Sequence, residues 1–266
     1  MNIRKAIVTG GGSGLGAVIC AHLHRDGCHV VILDRDKRAG SLIANRLGDG
    51  PDATFIECDL LNRAQLHQTV SRIAAAGPLW LLVNNAGGWL PGPQFPDSDQ
   101  WEDGLVLNLH VPMLLTKLAI PALSQGGPYG GAVVNIASSG GWDSDPYQSP
   151  EYGAAKAGLI RFTTASASLR DRGIRVSCLI PHWIGLDRAK AEYERMSPSA
   201  RELSGGLIAP DTIAATVVEH AHDARSAGRV TMIRADRPPY DVDPADYDPH
   251  SGANADVLPG NRSSAR

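Results

Sequence analysis

Ala6-Ile-Val-Thr-Gly-Gly-Gly-Ser-Gly-Leu-Gly16 is the stretch whose reading decides the fold. Its three leading apolar residues suit a short buried strand, and the run from Thr9 to Gly16 suits a turn. Ala17-Val-Ile-Cys-Ala-His-Leu23, which follows, carries apolar residues that fit a helix lying on a flat layer. Strand, glycine turn and helix in that order form more than a flexible link, because the turn leaves unpaired helix N–H groups facing any anion that approaches. Gly10 allows the tight exit from the strand, Gly14 lets a phosphate come close to the backbone, and Gly16 lets the helix pack near the sheet. Gly12, Ser13 and Leu15 complete the cradle.

The same alternation continues outward. His29-Val-Val-Ile-Leu-Asp34 is an unbroken apolar run, the mark of a strand buried on both faces. Helical 38–47 leads to strand 53–57, helical 64–75 to strand 79–83, and a long helical stretch 99–123 to strand 132–136. A helix holding Tyr152 and Lys156 leads to strand 174–180, and helical 211–222 to strand 230–233. Seven strands alternating with six helical segments predict an α/β fold, a Rossmann-type doubly wound seven-stranded parallel sheet in a single domain over residues 1–235. The Pro- and Asp-rich segment 236–266 lacks apolar periodicity and reads as an extended or partly disordered C-terminal tail, or as an arm on a neighbouring subunit.

Composition narrows the partner. Charged residues make up 20% of 266 and the net charge is -3, which leaves neither a nucleic-acid footprint nor a disordered composition, so a small molecule is expected. Cys20, Cys28, Cys58 and Cys178 stand singly, with no C-x-x-C spacing, and read as buried thiols in a reducing compartment. His22-x-His24 and His220-x-His222 have no third ligand, so no metal is expected. Only three apolar residues follow Arg4 and Lys5, too few for a signal peptide, and no apolar run reads as a membrane span. The expectation is a cytoplasmic protein without membrane or nucleic-acid partners.

Asp34 ends the second strand, where a carboxylate can accept both hydroxyls of an adenosine ribose and would repel a 2′-phosphate. That favours NAD; adjacent Arg35 leaves room for NADP. Tyr152 and Lys156, four residues apart, share one helix face. A free phenol titrates near pH 10, but an ammonium about 4 Å away contributes on the order of 4 kcal/mol at an effective dielectric of 20. That corresponds to about three pH units, enough to make the phenol a general base.

Taken together, Thr9-Gly10-x-x-x-Gly14-x-Gly16, Asp59-Leu60, Asn84-Asn-Ala-Gly87, Asn135-Ile-Ala-Ser138 and Tyr152-x-x-x-Lys156 resemble the short-chain dehydrogenase/reductase family over residues 3 to about 185. The resemblance implies that Asp59 holds the adenine amino group, with the Leu60 backbone beside the ring. It places Asn85, Ala86 and Gly87 on the adenosine ribose side and Pro181, Trp183 and Ile184 against the cofactor. Asn108 matches the family's helix-bending asparagine, which holds a water near the active lysine. Lys156 would bond the nicotinamide ribose, Tyr152 would exchange the proton and Ser138 would donate to the substrate oxygen. Ser139 competes for that role, because the gap to Tyr152 is one residue longer than usual. Two departures stand out: Pro181-His182-Trp183 where the family continues Pro-Gly, and Ala235-Asp236-Arg237 in place of Asp-Gly-Gly.

The function implied is an NAD-dependent oxidoreductase moving a hydride between nicotinamide and a secondary alcohol or ketone. A cofactor-binding sensor without turnover is the alternative, and a sugar-nucleotide epimerase would need a substrate domain this chain is too short to hold. Substrate contacts are expected from loops 88–98, 140–151 and 182–206. These carry Trp89, Trp142, Tyr147, Trp183 and Tyr193, which suggests an apolar or cyclic substrate. The charged, helix-forming segment 187–204 reads as a lid. By resemblance the chain would form homodimers or homotetramers through helices 99–123 and 151–172, where Gly153, Ala154, Ala155, Ala157 and Gly158 permit close approach, and through the C-terminal strand region.

Overall fold

In the computed structural model, residues 4–48, 53–89, 100–127, 130–142 and 149–246 are described. The apolar runs form strands β1 (Arg4–Thr9), β2 (Cys28–Asp34), β3 (Ala53–Glu57), β4 (Leu81–Asn84), β5 (Ala132–Ile136), β6 (Arg175–Pro181) and β7 (Val230–Ile233). All seven are parallel, in the order β3-β2-β1-β4-β5-β6-β7. Every residue of β4 to β7 is buried, so these strands need apolar side chains on both faces.

Side-chain alternation sorts the core into two layers. Ala6, Val8, Val30 and Ile32 pack with α1 (Gly14–Arg25), α2 (Lys37–Leu47) and, later in the chain, α9 (Pro210–His222). Ile7, Val31, Leu33, Leu82 and Val133 pack on the opposite face with α3 (Arg63–Ala75) and α5 (Val111–Leu123). Asp36 caps α2 by accepting from Ala39 N at 2.9 Å, and Asn62 caps α3 by accepting from Gln65 N at 3.1 Å. Strand order reverses between β1 and β4, which opens a crevice at their carboxyl ends. A buried polar chain fixes that edge. Asn84 Nδ2 donates to Asn135 Oδ1 at 2.8 Å, and Asn135 Nδ2 to Thr163 Oγ1 at 2.9 Å, tying β4 and β5 to α6 (Pro150–Ala165).

Four expectations need correction. The sheet has an eighth strand, β8 (Tyr240–Asp241), antiparallel to β7, so the segment after 236 is not wholly a loose tail. Asp241 is fastened there by Arg229 and by Thr231 Oγ1 at 2.7 Å, polar contacts that an apolar period cannot reveal. The helix after Ser149 ends at Ala165, and a separate 3₁₀ segment covers Ala167–Arg172. The long helix is three pieces: α4 (Gln100–Leu105), a π-helical turn Val106–His110, and α5. Its run Trp101–Leu123, with a mean hydropathy of 1.5 in its most apolar window, is long and apolar enough to cross a membrane, against the expectation that no run is. Buried Val111, Leu115, Ala119 and Leu123 give it the side chains of a helix packed on this sheet. The segment after β6 folds as α7 (Asp187–Arg195) and α8 (Pro198–Ser204). Tyr147 and positions 90–98 of the expected substrate loops, with the tail beyond 246, lie outside the described residues.

Candidate active site

A cavity of about 480 Å³ opens over the carboxyl ends of the strands at the reversal of strand order. Its floor is the glycine turn. A Cβ at Gly16 would stand 2.0 Å from the Gly10 carbonyl oxygen, so α1 can start this close to β1 only with glycine at that position. Gly14, at φ +51, has nothing nearer to its Cβ position than Leu186 at 3.6 Å, so its backbone faces open space. Thr9 Oγ1 accepts from the N–H groups of Asn85 at 3.0 Å and Ala86 at 2.9 Å, and Asn85 Nδ2 returns a bond to Thr9 O at 2.9 Å. These bonds join β1 to the segment after β4. Gly10, Ser13, Gly14, Leu15 and Gly16 line the cavity, as do Asn85, Ala86 and Gly87.

At the β2 end, Asp34 lines the cavity and is held through both oxygens. Oδ2 accepts from Gly12 N at 2.9 Å and Oδ1 from Asp36 N at 3.0 Å. Gly12 itself does not line the cavity, contrary to expectation. Its N–H is spent on Asp34, and a Cβ there would meet Asp34 Oδ2 at 2.8 Å. Arg35, Asp59 and Leu60 complete this end.

The opposite end is built from α6 and β5. Tyr152 and Lys156 are buried on one face of α6, and Nζ lies 5.6 Å from the phenol ring centroid. Nζ also donates to Ile136 O at 2.8 Å. Burial lowers the Lys156 pKa from 10.5 to about 8, and burial also pushes the neighbouring Cys178 thiol up to about 12, which keeps it neutral. The cationic Nζ beside the ring favours ionisation of the phenol. Ser138 lines the cavity beside this pair and accepts from Gly140 N at 3.1 Å, which leaves its own hydrogen to donate. Ser139 is buried outside the cavity lining, which favours Ser138 of the two serines.

Asn108 sits behind the wall. Its Nδ2 donates to Gly104 O and to Gly88 O, both at 2.9 Å, and its Oδ1 accepts from Gly88 N at 3.0 Å. The bond to Gly104 occurs where the helix widens into its π turn, and the pair to Gly88 anchors the backbone beside Lys156. Asn108 sits in the π turn and does not line the cavity.

The remaining wall comes from Pro181, His182, Trp183, Ile184, Leu186 and the α7 residues Arg188, Ala189 and Glu192. His182 Nε2 lies 3.4 Å from Arg234 Nη1, and burial followed by that cation lowers its pKa to about 4, so the imidazole is neutral. Of the five aromatic residues expected near substrate, Trp89 and Trp183 line the cavity. Trp142 packs on the β6–β7 core, and Tyr193 lies under Arg201 at 5.5 Å.

Residues 4–196 match the sequence pattern of the short chain dehydrogenase family. The chain belongs to that family. Among relatives, it is 30% identical to a D-xylose 1-dehydrogenase of Caulobacter vibrioides over 84% of this chain and 90% of that one. It is 27% identical to the 15-hydroxyprostaglandin dehydrogenase [NAD(+)] of Mus musculus, over 92% and 96%. Among solved structures, a putative NAD(P) dependent gluconate 5-dehydrogenase from Beutenbergia cavernae with bound NADP superposes with a TM-score of 0.78 at 27% identity, covering 87% of this chain and 95% of that one. This short-chain dehydrogenase is therefore a Rossmann-type oxidoreductase of the class that acts on CH–OH groups with a nicotinamide cofactor. Sequence reasoning put Arg188 and Glu192 inside an expected substrate loop without singling them out as cavity residues. Their spacing of four on a charged helix was a signal that one helix face turns inward, but only the position of α7 shows which face.

Proposed function

We propose that this chain is an NAD-dependent dehydrogenase of secondary alcohols, or reductase of ketones, with Tyr152 as general acid and base. One observation carries the reading: Ser138, Tyr152 and Lys156 share a single cavity with the glycine turn and Asp34. The donor set fits a dinucleotide, with open backbone at Gly14 for a diphosphate and a fixed carboxylate at Asp34 for a ribose diol. The chemistry such a cofactor supplies is acceptance or return of a hydride at the carbinol carbon. Ser138 donates to the substrate oxygen and Tyr152 takes or returns its proton. Lys156 keeps the phenolate stable while it carries its charge, below about pH 8.

Asp34 supports NAD as the preferred form, since a 2′-phosphate would meet its carboxylate; Arg35 and the NADP-bound relative favour some use of NADP. Trp89, Leu107 and Trp183 support a substrate whose carbinol is borne on a ring or apolar frame. The relatives named for a sugar and for a hydroxyprostaglandin are consistent with that class. Four buried free thiols support a cytoplasmic location, and the exposed Ala154, Ala157 and Met113 of α6 and α5 support a homo-oligomer. Nicotinamide absorbance followed over a panel of secondary alcohols with NAD, and of ketones with NADH, tests the activity. Turnover of at least one substrate is expected, and tight NAD binding without turnover across the panel would contradict it.

A further inference from the structure

We infer that Arg188 is a ligand of the dinucleotide's diphosphate, a role that rests on the oxidoreductase reading and extends it. Three cations line the cavity among the described residues: Arg35, Lys156 and Arg188. Arg35 follows Asp34 at the β2 end, and Lys156 is buried and donates to Ile136 O at the other. Between those ends lies the glycine turn, which offers two phosphate charges N–H groups and the Ser13 hydroxyl but no cation. The start of α7 overlies that turn, because Leu186 Cδ1 is 3.6 Å from the Cβ position of Gly14. Arg188, two residues further on, reaches across to the Trp89 ring, with its guanidinium carbon 4.2 Å from the centroid. Trp89 lies two residues after Gly87, whose Cβ position is 3.4 Å from Lys156 Nζ, so the Arg188 side chain runs from the start of α7 near the turn toward the catalytic side.

The stacking leaves the edge of the guanidinium plane for hydrogen bonds. A planar fork of N–H donors suits phosphate oxygens better than a point charge does. Glu192 faces the same cavity one turn further along α7, about 6 Å of axial rise from Arg188. Arg188 is the residue that would make cofactor affinity depend on α7, and hence on the segment between β6 and α9.

The test is calorimetric and needs no substrate. ADP-ribose, which has the diphosphate, and adenosine, which lacks it, are titrated into wild type, Arg188→Met and Arg188→Lys. Arg188→Met should weaken ADP-ribose about tenfold or more, leave adenosine within twofold, and flatten the salt dependence of ADP-ribose binding. Arg188→Lys should fall between the two. Equal ADP-ribose affinity in wild type and Arg188→Met would overturn the inference alone. Failure of the wild type to bind ADP-ribose at all would instead overturn the dinucleotide reading beneath it.

Discussion

The two ends of the cavity are made by opposite means. The nucleotide end depends on side chains that are absent: Gly16 lets the helix start against Gly10 O, and Gly12 leaves space for Asp34, which two backbone N–H groups then hold. The catalytic end depends on polar side chains that are present and buried. Lys156 is tied to Ile136 O, and the Asn84–Asn135–Thr163 chain holds β4 and β5 to α6. The difference teaches that substitutions at the first end act through space and shape, whereas those at the second act through charge and hydrogen bonds. One end should lose binding when filled; the other should lose turnover when neutralised.

The largest expected effect is at the catalytic end. Tyr152→Phe should lower kcat by about 10²–10⁴-fold, the usual worth of a positioned acid–base group, while NADH affinity by fluorescence titration stays near wild type. Lost affinity along with kcat would mean that the two ends are not separable. Next, Gly16→Ala should act at the other end. Its Cβ would require the turn to shift, costing about 1–3 kcal/mol by denaturant titration and most of the dinucleotide binding. A variant with full binding would show that the turn is not rigid. Asp34→Ala tests charge where shape otherwise governs. The ratio of NAD to NADP specificity should fall about tenfold or more, because a charge-assisted contact to the ribose is lost and a repulsion to the 2′-phosphate is removed. An unchanged ratio of kcat/KM values would remove Asp34 from cofactor choice.

The smallest effect concerns stability in acid. His182 and His220 both have pKa values lowered from 6.5 to about 4, chiefly by burial. Between those values the unfolded chain binds more protons than the folded one, so stability is full above pH 6.5, falls as pH drops from 6.5 to about 4, and levels off below that. Replacing His220 by Gln should make denaturation midpoints less sensitive to pH in that window. An identical slope in the variant would show that other groups set the acid limit. The same rule gives Lys156 the alkaline counterpart: its contribution rises with pH from about 8 to 10.5, where the unfolded lysine still holds its proton.

How much of this was legible in the sequence follows the same division. The parallel core could be read because β2 and β4 to β7 are mostly apolar, as strands buried on both faces require. The glycine turn could be read because missing side chains are themselves letters in the sequence. The π turn could not, since it depends on Asn108 finding Gly104 and Gly88 at once, a fact of tertiary placement. Strand β8 is two residues long and held by Arg229 and Thr231 through Asp241, too short for any period to mark. Arg188 and Glu192 were visible only as charges on a polar helix. Whether such a face looks to solvent or into a cavity is decided by how α7 leaves β6.

The account stands or falls on whether the charge of Lys156 makes Tyr152 acidic. The direct measurement is a phenolate absorbance titration of the NAD-bound protein, taken as the difference between each background and its Tyr152→Phe derivative, with and without Lys156→Met. With Lys156 intact, the Tyr152 signal should titrate well below the ordinary phenol value of about 10, and Lys156→Met should move it up toward that value. A midpoint that stays near 10 with the lysine present, or does not move when it is removed, would contradict the account.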